Sequence, residues 1–215
     1  IYQKNDLRQP LVDHKSQPAV RKNQVFLLLM AAFQFGGYTL FLVGSTRYFL
    51  LDYGLSPEHY GALFFLIALG YFFASLCVSL VSRFIQIPPF HLAIIGLMLS
   101  LLSASLGYAF SVNHFSAHLV WYFLFMMCYQ MGTRLINLSS NVLLIQGKNP
   151  AKASAYVGTV KYFFAGTLSL TAILATHQLS EMFLMILMGS VMSCLFGGLY
   201  FVGNKNNNAS CVGAP

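Results

Sequence analysis

Long charge-free stretches dominate this chain and leave few folds open to it. No charged residue falls between Val25 and Thr46, between Tyr60 and Ser82, or between Met182 and Asn204. Each stretch exceeds the roughly 20 apolar residues that carry a helix across a ~30 Å hydrocarbon core. Three further runs, near 89–111, 118–146 and 153–177, complete a set of six. The expectation is an all-α membrane protein with six transmembrane helices. A soluble fold is excluded by composition: 8% of residues are charged and 57% hydrophobic, against about 25% charged in an ordinary soluble domain.

The basic residues define a topology. Lys4, Arg8, Lys15, Arg21 and Lys22 precede the first segment, Arg83 follows the second, Lys148 and Lys152 lie between the fourth and fifth, and Lys205 follows the sixth. The alternate loops, 51–59, 112–117 and 178–181, carry only Asp52, Glu58 and Glu181. By the positive-inside rule both termini are expected in the cytoplasm, as an even number of crossings requires. The pI near 9.3 is explained by these membrane-flanking bases, so no nucleic-acid partner is expected.

Three regions follow: a cytoplasmic linker over 1–24, a six-helix transmembrane domain over 25–203, and a disordered cytoplasmic tail over 204–215. The linker is polar and has no apolar core, so it is not a signal peptide. A start at Ile1 rather than methionine points to a fragment or a processed product. The sequon Asn208-Ala209-Ser210 falls on the cytoplasmic side and is not expected to be glycosylated. Cys77, Cys128, Cys194 and Cys211 are scattered, without metal-ligand spacing. They read as small apolar packing residues, and neither metal nor cofactor is expected.

Polar residues inside the segments are the candidate site. Segment four places Gln130, Arg134, Asn137 and Asn141 at steps of four, three and four, one face of a helix. Facing lipid, the arginine alone would cost about 2.5–3.5 kcal/mol on insertion scales, so the stripe should line water, a ligand or another helix. The plainer alternative is a structural cluster that ties helices together. Segment five carries Lys161 on a face with Ser154, Gly158 and Ala165. No acid lies inside any segment to pair with it, so its counter-charge is a substrate, a bound anion, another chain, or water reached by snorkelling. Gln34, Tyr38, Phe41 and Ser45 make a weaker stripe on segment one, bordering the same cavity. Arg47 is expected to snorkel to the interface, with Asp52 as a candidate partner.

Segment three shows a small-residue face, Gly96, Ser100, Ser103 and Gly107, and segment six is uncharged; both are expected to be peripheral. The pattern is three plus three, with the first helix of each triplet the most polar. Tyr71-Phe72-Phe73-Ala74 in segment two recurs as Tyr162-Phe163-Phe164-Ala165 in segment five. Triplets of odd length have opposite topology, as in inverted-repeat transporters.

The chain resembles the carboxyl-terminal six-helix half of a major facilitator superfamily transporter, and within it the Bcr/CflA drug-resistance branch. The likeness is carried by the basic stretch before segment one, by Tyr53-Gly54-Leu55-Ser56-Pro57-Glu58-His59-Tyr60-Gly61, and by Pro150-Ala151-Lys152-Ala153-Ser154-Ala155 followed by Gly158 and Gly166. It spans roughly residues 10 to 203. The chain departs from the branch at Thr46-Arg47-Tyr48, where a serine-proline-phenylalanine turn is usual, and at Ile136-Asn137, where only the asparagine of a proline-asparagine pair is kept.

The resemblance implies a proton-coupled efflux permease of the plasma (inner) membrane, acting on small drug-like, anionic or zwitterionic metabolites. It implies a substrate cavity bordered by segments one and four, hence by Gln34, Tyr38, Gln130, Arg134, Asn137 and Asn141, with Lys161 added from the stripe on segment five. The expected partners are a small-molecule substrate, membrane lipid, and an amino-terminal six-helix half or a second copy of the chain. A proton-coupling carboxylate would lie in that other half. Two alternatives stay open: a transporter half without activity of its own, and an intramembrane enzyme. The enzyme reading is weak, because Ser139 and Ser140 lack a nucleophile motif and no histidine sits at mid-helix.

Overall fold

The computed structural model describes residues 22–84, 87–113, 119–145, 150–175 and 178–212. Among these every regular element is helical: α1 (Lys22–Arg47), a π-helical turn (Tyr48–Asp52), α2 (Pro57–Phe84), α3 (Pro89–Val112), α4 (Leu119–Ile145), α5 (Pro150–Ala175) and α6 (Leu179–Val212). The amino-terminal part of the linker, with Lys148, His118 and His177, lies outside the described residues.

Prolines mark three starts. Pro57, Pro89 and Pro150 occupy the first helical position of α2, α3 and α5, where a missing N–H breaks no bond and φ is already helical. Ser56 caps α2: its Oγ accepts from His59 N at 3.4 Å and contacts His59 Nδ1 at 2.7 Å. Between α1 and α2 the chain reverses through Gly54, whose φ of +67° favours glycine.

Among the described residues four helices are long and apolar enough to cross a membrane: Gln24–Asp52, Pro57–Val81, Pro89–Val112 and Leu179–Gly203. The helices α4 and α5 have the length, 27 and 26 residues; they are also the ones that carry the Arg134 and Lys161 stripes.

The helices α1 and α4 lie at the centre. Around α1 pack α5 and α6, around α4 pack α2 and α3, and α3 meets α6 at the back. Small residues set the closest approach: Gly96 and Gly132 face each other's carbonyl oxygens, with a Cβ at either predicted to lie 2.7 or 2.6 Å from them. Ser103 donates to the Phe125 carbonyl in the same seam. The small-residue face of segment three is therefore buried against α4. Contrary to expectation, α3 and α6 are not the outermost helices. The share buried is 39% and 33% for them and only 17% for α2, because α2 leans mainly on α4 while α3 is gripped from two sides. A second difference is at the carboxyl end, where α6 runs on through 204–212 in place of a disordered tail. Elongating an existing helix adds one hydrogen bond per residue without a new nucleus, so even an asparagine run can follow.

Apolar side chains gather in two clusters. One lies toward the end bearing the 51–59 loop and includes Phe41, Phe49, Ile67, Phe123, Met126, Tyr129 and Phe183. The other, toward the opposite end, includes Leu27, Met30, Leu97, Ile136, Leu144 and Val157. Gln34 of α1 and Gln130, Thr133 and Arg134 of α4 lie between them along the helices.

Candidate functional site

Both cations sit at mid-helix. Arg134 is 11 residues from Ile145, and Lys161 is 11 residues from Pro150. At 1.5 Å per residue each is about 16 Å from its helix end. Helical spacing therefore places two positive charges at one level, on neighbouring helices.

Each cation is held by hydrogen bonds between helices. Lys161 Nζ donates to Asn137 Oδ1 at 2.7 Å and approaches Asn141 Oδ1 at 3.5 Å. The lysine is 9% exposed, so its charge is compensated by amide dipoles rather than by water. Arg134 reaches the other way: Nε donates to Ser75 Oγ at 2.8 Å and a terminal guanidinium nitrogen to Tyr71 Oη at 2.6 Å. Its guanidinium carbon also stands 4.5 Å from the centre of the Tyr71 ring, within cation–π range. The stripe on α4 thus serves two neighbours, α2 through Arg134 and α5 through Asn137 and Asn141.

The remaining sequence candidates divide. Gln34 is fully buried in the α1–α4 seam, its Nε2 donating to Thr133 Oγ1 at 3.4 Å. Tyr129 donates to the Gln34 carbonyl at 3.1 Å, its ring entering over Gly37, where a Cβ would strike the hydroxyl. Gln130 is buried one turn from Arg134, and the Oε1 atoms of Gln34 and Gln130 are both buried without a partner. Tyr38 is half-buried, near the phenols of Tyr60 and Tyr71. The stripe on segment one is therefore mostly core: Phe41 is fully buried, and Ser45 bonds Tyr60 Oη at 2.9 Å. It faces α4 and α2, because α1 is the central helix of its group.

Sequence reasoning missed Tyr71, Ser75, Tyr129 and Thr133. The signal for the first two was available: they are four residues apart on one face of segment two, and Tyr71 opens the repeated quartet. The two quartets match only in part, since Tyr71 is half-buried and Tyr162 is 72% exposed. Ala74 and Ala165 are buried, while Phe72 and Phe163 point outward. Arg47 and Asp52 line one shallow hollow with Tyr48, Gln178 and Met182. Ser139 and Ser140 return their hydroxyls to helix carbonyls at Leu135 and Asn137.

The acids of segments and loops, Asp52, Glu58 and Glu181, all stand at helix ends. The mid-helix site is therefore cationic, lined by hydroxyls and amides. No protein-family model, curated protein or solved structure matches the chain.

Proposed function

We propose that this chain is a membrane-transport protein, one six-helix wall of an efflux permease for small anionic or zwitterionic metabolites, in the manner of a major facilitator half. The observation that carries the reading is the pair Arg134 and Lys161. Two cations at membrane depth, with no acid at mid-helix among the described residues, form a site that a negatively charged solute completes. Electrostatic attraction is strongest there because the surroundings exclude water.

The packing order supports a three-plus-three arrangement. Exchanging α1 with α4, α2 with α5 and α3 with α6 leaves the main list of neighbours unchanged: α1·α5 becomes α4·α2, α1·α6 becomes α4·α3, and α3·α6 maps on itself. Inverted-repeat transporters place their sites at the midplane between such repeats. The second wall would come from an amino-terminal half or a second copy, and proton coupling from a carboxylate on that wall. Both ends of the chain would then be cytoplasmic, in the plasma (inner) membrane.

A second reading is favoured by one observation. Arg134 is engaged by Ser75 and Tyr71, as a tie between helices would be, and a half without activity of its own would keep such ties. Efflux separates the two. Cells producing the chain are loaded with an anionic or a cationic fluorescent dye, and loss of dye is followed with wild type and Lys161→Met. The transport reading expects faster loss of the anionic dye, abolished by the substitution. Rates equal to empty-vector cells for both dyes would favour the inactive half.

A further inference from the structure

The hydrogen-bonding capacity left over at the site is polarised along α4. At the Arg134–Asn141 end it consists of donors. Lys161 has three N–H groups, two of them directed at Asn137 and Asn141. Those asparagines accept through Oδ1 and keep their amide N–H groups. Arg134 has five N–H groups and uses two on Ser75 and Tyr71. The Tyr71 hydroxyl accepts from Arg134 and keeps its own proton, while Ser75 already donates to the Tyr71 carbonyl.

At the Gln130 end the sense reverses. The Oε1 atoms of Gln34 and Gln130 are acceptors, both buried and both without a partner. Around them Thr133 donates its hydroxyl to the Tyr129 carbonyl and Tyr129 donates to the Gln34 carbonyl. The hydroxyl protons of Thr133 and Tyr129, beside Gln34, are thereby spent, and the amide oxygens are left needing donors. A simple anion satisfies only the first end.

We propose that the site takes a small carboxylate that carries an amine or hydroxyl about 6–10 Å from its anionic end, the rise from Gln130 to Arg134 and to Asn137 at 1.5 Å per residue. The carboxylate lies between Arg134 and Lys161, and the donor reaches the Gln130 carbonyl on the same face of α4. This rests on the transport-site reading above and narrows it from anionic or zwitterionic solutes to bipolar ones of this length.

The test is thermal unfolding of the purified full chain in detergent, titrated with valerate, δ-aminovalerate or n-pentylamine. The expected result is that δ-aminovalerate raises the midpoint at a concentration roughly tenfold below that of valerate, with pentylamine inert. In Gln130→Met the two acids become equivalent, and in Lys161→Met neither acts. Equal potency of the two acids in wild type would overturn the proposal and leave the anion site standing, with water satisfying the glutamines. Stabilisation by pentylamine equal to that by δ-aminovalerate would overturn it in favour of a cation site. If neither acid acts on wild type, the transport-site reading falls and this inference falls with it. The wild-type titrations need no variant to fold.

Discussion

Lys161 of α5 and Asn137 of α4 are joined across the bundle, Nζ to Oδ1 at 2.7 Å. The bond crosses a seam where the two helices otherwise pack lightly, since α5 leans mainly on α1. A single ammonium therefore holds one side of the site in place and supplies its charge.

Replacing Lys161 by methionine keeps the length of the side chain and removes the charge. Interhelical hydrogen bonds in membranes contribute about 0.6 kcal/mol on average, and loss of a desolvated charge offsets part of that. Stability in detergent is expected to change by no more than about 1 kcal/mol, with binding of anions lost. Denaturant unfolding beside a binding titration checks both halves of the statement.

Arg134→Ala should cost more, about 1–2 kcal/mol, because two hydrogen bonds and the stacking on Tyr71 vanish together. Tyr71→Phe keeps the ring and loses one acceptor, so about half that cost is expected. Arg134→Lys should behave like the alanine variant, since an ammonium cannot span Ser75 and Tyr71 as the guanidinium fork does. A double-mutant cycle on Arg134 and Tyr71 measures the coupling.

The glycines divide into two classes. A Cβ at Gly132 would lie 2.6 Å from the Gly96 carbonyl oxygen, and backbone cannot step aside, so Gly132→Ala is expected to destabilise by about 1–3 kcal/mol. At Gly158 and Gly166 nothing lies within 4 Å of the added carbon. Alanine there should be neutral or stabilising by up to about 1 kcal/mol through its helix propensity. The melting temperatures of the three variants check the order.

Topology is testable at two exposed side chains, Leu51 at 76% and Phe84 at 86%. In a chain whose native cysteines are replaced, Leu51→Cys should react with a membrane-impermeant maleimide in intact cells. Phe84→Cys should react only after the membrane is opened. The reverse pattern would place the termini outside.

Helical spacing made much of the scaffold legible. The apolar runs gave helices because a continuous apolar stretch of about 20 residues satisfies its own backbone in lipid only as a helix, and the step of four, three and four puts Gln130, Arg134, Asn137 and Asn141 on one face of α4. The small-residue face of Gly96, Ser100, Ser103 and Gly107 was equally readable. What spacing could not give was the partner across each seam. Arg134 turns to Tyr71 and Ser75, and Lys161 to Asn137, because α2 and α5 flank α4 on opposite sides, a fact of tertiary packing. The same limit explains Gln34. Its stripe looked like a cavity border, yet the central position of α1 turns that stripe into the core. It also explains α3 and α6, whose lack of charge suggested the periphery while their small residues allowed deeper packing.

The central claim is that the α4 stripe lines a solute path rather than only tying helices together. The most direct measurement is reaction of Asn137→Cys, in the cysteine-free background, with an anionic water-soluble thiosulfonate. A solute path predicts modification from at least one side of the membrane, slowed by δ-aminovalerate and faster than by a cationic thiosulfonate of similar size. Absence of modification by both reagents, in a variant that inserts and folds as wild type does, would contradict the claim and leave the stripe as a structural tie.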